Sequence, residues 1–167
     1  SFKGSATASE IAEAMEIGIR RIFTEAEILQ VPMADGGEGS TEAIVDSTDG
    51  EFIYQTVQGP LNDKVEARIG LHGDGETAVI EMATASGLEL ISKEKRNPYK
   101  TTTYGTGELI AYCLDQDLKK IILCIGGSAT NDGGVGMAQA LGYQFKDKDG
   151  NEIQRGGIHL KDIVKID

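Results

Sequence analysis

The sequence predicts an α/β protein that combines a layered helix–strand unit with a second unit built on an antiparallel meander. Helical and strand patterns follow one another near the start of the chain and again after residue 100. Between them the pattern changes to an alternation of period two. The third observation is the clustering of glycine, 22 residues in all, in loops that precede helices. Clustered glycine marks tight turns or places where the backbone approaches a ligand closely.

The layered unit begins with a helix and a short strand. Thr7 and Glu10 have the spacing of a capping box, and apolar residues recur at helical spacing as far as Ile22. A strand is predicted over 28–31, and a glycine-rich loop over 33–39 then leads into a second helix.

The meander unit follows. Apolar and polar residues alternate over 52–57 and 64–71, and a third strand is predicted over 77–82. Short glycine-containing turns separate the three strands, which is typical of an antiparallel meander.

The layered pattern returns near residue 100. A helix is predicted after 101–107, and the run Ile121–Ile125 is apolar on both faces, as in a buried parallel strand. The glycine-rich loop 126–136 and a further helix follow. We therefore assign 1–48 and 100–145 to a layered unit, and 49–99, with 146–167 as a candidate addition, to a mixed-sheet unit.

Composition excludes several classes of protein. With 27 acidic against 16 basic residues the net charge is −11, which argues against binding nucleic acid by phosphate neutralisation. No apolar run is long enough to span a bilayer, and no charged-then-apolar leader opens the chain. Cys113 and Cys124 lie in apolar surroundings without metal-like spacing, as expected for reduced thiols of a cytoplasmic protein. His72 and His159 are expected at the surface.

The strongest functional signal is the loop 126–136, directly after the predicted buried strand. Ligands of open α/β sheets bind beyond the carboxyl ends of strands, and a helix N-terminus there favours anions. The candidate phosphate or substrate ligands are Gly126, Gly127, Ser128, Thr130, Asn131, Gly133 and Gly134. Asp132 could hold Mg²⁺ or accept a hydroxyl proton. The alternative is a purely structural corner; neither a Walker A motif nor a dinucleotide fingerprint is present.

Three other loops have similar chemistry. Gly36 and Gly37 are candidate phosphate or substrate ligands. They lie between Asp35 and Glu38, which could share a metal, point at a hydroxyl or, alternatively, cap the next helix. Thr106 and Gly107 could bind a phosphate, although Thr106 could equally be a helix N-cap. Lys3 and Ser5 also precede a helix, and Lys3 suits an anionic substrate if it is not simply solvated.

This combination favours chemistry by positioning and electrostatics with a metal ion, and phosphoryl transfer most needs those parts. The main alternative is a non-catalytic domain that binds a small carboxylate or a nucleotide through the same loops. A dehydrogenase linked to NAD is less favoured, because the dinucleotide fingerprint is missing.

Four motifs resemble the bacterial glycerate kinase family (type I). They are Ser1-Phe-Lys-Gly-Ser5, Pro32-Met-Ala-Asp-Gly-Gly-Glu-Gly39, Thr101-Thr-Thr-Tyr-Gly-Thr-Gly-Glu-Leu109 and Gly126-Gly-Ser-Ala-Thr-Asn-Asp-Gly-Gly-Val-Gly-Met137. Residues 78–83 and 86–88 fit the family too. The resemblance extends through essentially the whole chain, without the strand that precedes Ser1 in the family and without the family's later part.

The resemblance implies a flavodoxin-like, Rossmann-type unit beside a mixed-sheet unit, with substrates in the cleft between them. It implies phosphorylation of D-glycerate by ATP with Mg²⁺, giving 2-phosphoglycerate in a cytoplasmic enzyme that is a candidate homodimer. Carried over to matching positions, Lys3 would meet an anionic substrate, and Asp35 and Asp132 would be the leading candidates for metal or base.

Overall fold

The computed structural model describes residues 6–31, 36–37 and 39–167. The helices are α1 (Ala8–Arg20), α2 (Ser40–Ser47), α3 (Ala83–Ser86), α4 (Tyr104–Asp115) and α5 (Val135–Ala140). The strands are β1 (Glu51–Gln58), β2 (Lys64–Leu71), β3 (Thr77–Glu81), β4 (Lys120–Cys124), β5 (Phe145–Lys146) and β6 (Lys165–Ile166). Short 3₁₀ turns cover Leu88–Leu90, Lys93–Lys95 and Gly157–Asp162.

A four-stranded mixed sheet organises the molecule, with the strand order β1-β2-β3-β4. The pairs β1–β2 and β2–β3 are antiparallel, which confirms the predicted meander. The pair β3–β4 is parallel, in a register that runs from Thr77 opposite Lys120 to Glu81 opposite Cys124. The carboxyl ends of β3 and β4 therefore meet at one edge of the sheet.

Helices cover both faces of this sheet. On one face α4 packs its Leu109 and Cys113 against the buried Ile69 and Ile80. On the other face α2 lies so close to β2 that a Cβ on Gly70 would come within 2.5 Å of side-chain carbons of Thr41 and Val45. The result is the layered arrangement predicted from the alternation of helices and strands.

The strand β4 departs from its prediction in one respect. It is parallel to its neighbour, but within the described part of the chain it pairs only with β3, and Ile122 is 42% exposed. The prediction of a strand buried on both faces is therefore wrong for this structure, because burial requires a layer over each face as well as apolar residues. Since β4 joins the sheet of the meander, 51–81 and 120–124 share one sheet. The division into two units stays a prediction.

The first helix confirms one prediction and the segment after it corrects another. Thr7 and Glu10 form the reciprocal capping box, with the hydroxyl of Thr7 accepting the N–H of Glu10 at 3.2 Å. The predicted strand over 28–31 is wrong, since within the described part of the chain those residues pair with no strand, and Leu29 is 86% exposed. β-branched and apolar residues favour a strand only where a neighbour offers a hydrogen-bonding ladder.

Both cysteines of the chain are in the protein interior. Cys113 and Cys124 are buried free thiols. Burial raises the pKa of the Cys113 thiol to about 11.

None of the helices among the described residues combines the length and apolarity needed to cross a membrane. Arg155 ties the C-terminal segment to α4, with its guanidinium carbon 3.2 Å from the centre of the Tyr104 ring.

We expect Gly70→Ala to lower the free energy of unfolding by about 1–3 kcal/mol, because the new methyl group overpacks the contact between α2 and β2. Gly18→Ala is the matched control: a Cβ there meets nothing within 4 Å, and inside α1 the alanine should raise the stability slightly rather than lower it. Urea denaturation of both variants measures the difference. A urea midpoint for Gly70→Ala equal to that of wild type would show that the α2–β2 contact can accommodate the extra methyl group.

We expect the turn before β3 to lose stability in acid. The N–H of Glu76 and the hydroxyl of Thr77 hold the pKa of the Asp74 carboxyl at about 2, below its usual 3.8. A lowered pKa stabilises the fold above about pH 4, and that contribution disappears as the pH falls toward 2. The melting temperature of Asp74→Asn should therefore lie below wild type at neutral pH and converge with it near pH 2. Exposed Asp115 provides the control, Asp115→Asn; a gap that persists at pH 2 would contradict the assignment.

Candidate functional site

Two of the predicted glycine-rich loops meet at the carboxyl ends of β3 and β4. The N–H of Gly126 donates to the carbonyl of Gly36 at 2.9 Å. The approach is close, since a Cβ on Gly126 would lie 2.6 Å from the Cα of Gly37. Residues separated by most of the chain therefore form one surface where ligands of α/β sheets bind.

The loop that follows β4 contains polar side chains that bond to each other and residues that are exposed to solvent. The hydroxyl groups of Ser128 and Thr130 lie 2.8 Å apart, and Ser128 Oγ also accepts the N–H of Thr130 at 3.0 Å. These two side chains hold the turn in shape. Gly127, Asn131 and Gly133 are exposed in the same loop, which leaves this part of it open to solvent.

Asp132 lies at the centre of this region and is buried, with 2% of its surface exposed. Its Oδ2 accepts the N–H groups of Thr103 at 2.8 Å and Gly136 at 3.2 Å. Its Oδ1 accepts the N–H of Gly134 at 3.1 Å, and the Thr103 hydroxyl bonds to both oxygens. One carboxylate thus bonds the N-terminal ends of both α4 and α5, where a negative charge is favourable.

The segment 101–107 is more helical and more buried than predicted. Helix α4 begins at Tyr104, so Thr106 is inside the first turn and the alternative of an N-cap at Thr106 is wrong. The buried hydroxyl of Thr106 lies 2.8 Å from that of Ser86. Gly107 allows α4 to cross α5, since a Cβ there would approach the carbonyl oxygen of Met137 to 2.3 Å. Here Thr106 and Gly107 serve packing, and their role in phosphate binding stays a prediction.

The family resemblance included the turn after β3, but the sequence reasoning gave it no role, although it contacts each of these loops. Glu81 Oε1 accepts the N–H of Thr41 in α2 at 2.7 Å. The carbonyl of Ser86 accepts the N–H of Ala129, and the N–H of Leu88 donates to Gly127, both at 2.9 Å. The available signal was Glu81 itself, a carboxylate that ends an otherwise uncharged strand.

The sequences 35–39 and 132–136 share the pattern Asp-Gly-Gly-x-Gly, but the helices after them begin at different points of it. Gly39 precedes α2 and Gly134 precedes α5, both with a left-handed backbone at φ 84° and 76°. These glycines occupy different positions of the shared Asp-Gly-Gly-x-Gly pattern, so the two helices begin two positions apart relative to it. The shared pattern therefore reflects similar turn chemistry rather than one repeated structure.

Four predicted site residues lie outside the described residues, namely Lys3, Ser5, Asp35 and Glu38. Among the residues that are described, no group of three His, Cys, Asp or Glu side chains is placed to hold a metal ion. The oxygens of Asp132 already accept internal hydrogen bonds. The described residues therefore do not fit a Mg²⁺ site by themselves.

The groups around Cys124, the last residue of β4, shift the pKa of its thiol. Burial and the nearby charge of Glu81 raise the pKa of its thiol, while a hydrogen bond with Ser40 lowers it. The thiol therefore stays protonated near neutral pH, which fits a packing role rather than a nucleophile.

Comparison with known proteins identifies relatives along the whole chain. The glycerate kinase family model matches residues 1–167. The chain is 57% identical to a glycerate kinase of Haemophilus influenzae and 54% identical to a glycerate 2-kinase of Escherichia coli K12, each covering 100% of this chain and 44% of the relative.

A solved structure agrees with these sequences. It comes from Salmonella typhimurium LT2 and is described as a candidate glycerate kinase 2. It matches with a TM-score of 0.87 at 51% identity, over 100% of this chain and 45% of that one. The chain thus spans less than half the length of the curated relatives it matches.

We expect Asp132→Asn to lower the free energy of unfolding by about 1–3 kcal/mol. An amide keeps the size of the side chain but turns an NH₂ group toward buried N–H donors, which leaves them unsatisfied. Urea denaturation measures the change, with Asp149→Asn in an exposed turn as the control. An unchanged midpoint for Asp132→Asn would show that this carboxylate does not hold the two helix ends.

Proposed function

The chain belongs to the glycerate kinase family, and on that premise we propose that it forms part of an enzyme that transfers the γ-phosphoryl group of ATP to D-glycerate. The observation that carries the proposal is the match over 167 residues at up to 57% identity with proteins named glycerate kinase. The name glycerate 2-kinase of one relative supports 2-phosphoglycerate as the product.

The geometry supports this proposal through the meeting of the loops that contain Gly36 and Gly126. Phosphoryl transfer depends on positioning and on stabilising negative charge rather than on covalent chemistry by the protein. Backbone N–H groups at the carboxyl ends of strands are suited to phosphate or carboxylate oxygens. Exposed Gly127, Asn131 and Gly133 are the described residues placed to supply such contacts.

The roles of individual carboxylates remain proposals. The burial of Asp132 and its bonds to α4 and α5 favour a role in orienting the two helix ends over direct contact with a metal or a substrate hydroxyl. Lys3, Asp35 and Glu38 stay candidates for substrate, base and metal contacts. Mg²⁺ bound to ATP would neutralise phosphate charge in such a reaction, and we assign it no ligand among the described residues.

Three further expectations belong with this proposal. The two free thiols fit a reducing compartment and so support a cytoplasmic enzyme. A homodimer stays a prediction. Membership of the family supports D-glycerate and ATP as partners, and the net charge of −11 argues against nucleic acid.

The test is ADP release, coupled to a spectroscopic readout, with D-glycerate, ATP and Mg²⁺. It compares the 167-residue chain with a form extended to the full length of its relatives. We expect D-glycerate-dependent turnover in the extended form, with phosphate on the 2-hydroxyl by ³¹P NMR. L-glycerate provides the matched control substrate.

Other results would separate the alternatives. Binding of D-glycerate without ADP release from the extended form would favour a non-catalytic binding domain. Phosphate on the 3-hydroxyl would keep the kinase and overturn the assigned product.

A further inference from the structure

Glu81 is a buried carboxylate to which the sequence analysis assigns no role. It ends β3 with only 2% of its surface exposed. Removing a carboxylate from water is unfavourable unless polar partners compensate. Among the described residues, the N–H of Thr41 donates to Glu81 Oε1 at 2.7 Å. That is a short, charge-assisted hydrogen bond.

This bond connects the sheet to the start of α2. Thr41 is the second residue of α2, in the turn where N–H groups lack partners within the helix and where negative charge is stabilising. The preceding residue of α2, Ser40, accepts the N–H of Gly36 at 3.0 Å. Fixing Thr41 therefore also fixes the loop that contains Gly36.

The same end of β3 is tied to β4. The N–H of Met82 donates to the carbonyl of Cys124 at 3.0 Å, two residues before Gly126 donates to Gly36. The loop before α2 and the loop after β4 are thus both connected by hydrogen bonds to one short segment, Glu81 and Met82. The contact between Gly126 and Gly37 is so close that a shift of α2 must open it or strain it.

We propose that Glu81 is a positioning residue: its carboxylate holds the α2 loop in register with the loop after β4, and it touches neither substrate. The inference rests on the proposed kinase function and concerns how the ligand surface is assembled. Misplacement of reacting groups by about 1 Å can cost about 10²-fold in rate, so a small shift of α2 should be visible in catalysis.

Three substitutions separate reach from charge. Glu81→Gln keeps an oxygen at the length needed to accept the Thr41 N–H but removes the charge. Glu81→Asp keeps the charge and shortens the side chain by one methylene, which withdraws the oxygen from its bonding distance. Glu81→Leu removes both. The control is Glu66→Gln on the exposed side of β2, which should match wild type.

If the hydrogen bond positions the loop, Glu81→Gln should keep kcat and KM within about threefold of wild type. Glu81→Asp and Glu81→Leu should lower kcat/KM for D-glycerate by tenfold or more in the extended enzyme, assayed well below their melting temperatures. Amide hydrogen exchange should accelerate at Thr41 and Gly126 in these two variants and remain slow in Glu81→Gln. If Glu81→Leu does not fold, the Gln and Asp variants alone decide the result.

The opposing outcomes are distinct. Unchanged exchange at Gly126 in Glu81→Asp would overturn the inference, and so would faster exchange with unchanged kcat/KM. Loss of activity in Glu81→Gln with wild-type amide exchange rates would also overturn it, because the charge of Glu81 rather than the position of the loop would then support catalysis. Failure of the proposed function would appear earlier, as a wild-type extended protein that releases no ADP from D-glycerate and ATP, and it would remove the basis for a positioning role.

Discussion

The carboxylate of Asp132 occupies the point where α4 and α5 begin, and the arrangement around the candidate site depends on it. It accepts N–H groups from Thr103, Gly134 and Gly136 and is almost fully buried. Each of these donors would otherwise be an unsatisfied group at a buried helix end, which is costly. A single side chain therefore accepts hydrogen bonds from the N-terminal ends of two helices.

Glu81 has the equivalent place on the opposite side of the strand ends. It bonds the first turn of α2, as Asp132 bonds those of α4 and α5. Three helix ends that the sequence suggested as anion sites thus already have protein carboxylates as partners. Within the described part of the chain, exposed positions such as Gly127 and Gly133 are where an external anion could still bind. The glycines of these loops matter less for an open cradle than for the close approach of one loop to the other.

Local signals in the sequence predicted local structure well. The capping box of Thr7 and Glu10, the strand over 64–71 and the parallel strand after residue 119 all correspond to observed elements. These features depend on neighbours in the chain or on a strong period in side-chain polarity. The predicted strand at 28–31 failed because its state depends on a pairing partner, which residue preferences do not encode.

The site was harder to predict for the same reason. The sequence identified the glycine-rich loop after β4, because loops at strand ends have a recognisable composition. It could not show that Asp132 would be enclosed by Thr103 from 29 residues away, since an exposed and a buried aspartate have the same letter. Glu81 was overlooked because its partner is a backbone N–H, which every residue but proline has.

The long separation of these partners has a consequence for how the protein folds. Glu81 and Thr41 are 40 residues apart, while β1 and β2 are joined by a turn of only a few residues. Closing a long loop costs chain entropy before the contact repays it, so the β1–β2 hairpin is kinetically favoured and the carboxylate contacts come late. Until then the two acidic side chains are hydrated and the glycine-rich loops are unconstrained. We therefore expect the candidate ligand surface to be among the last parts of the described structure to form.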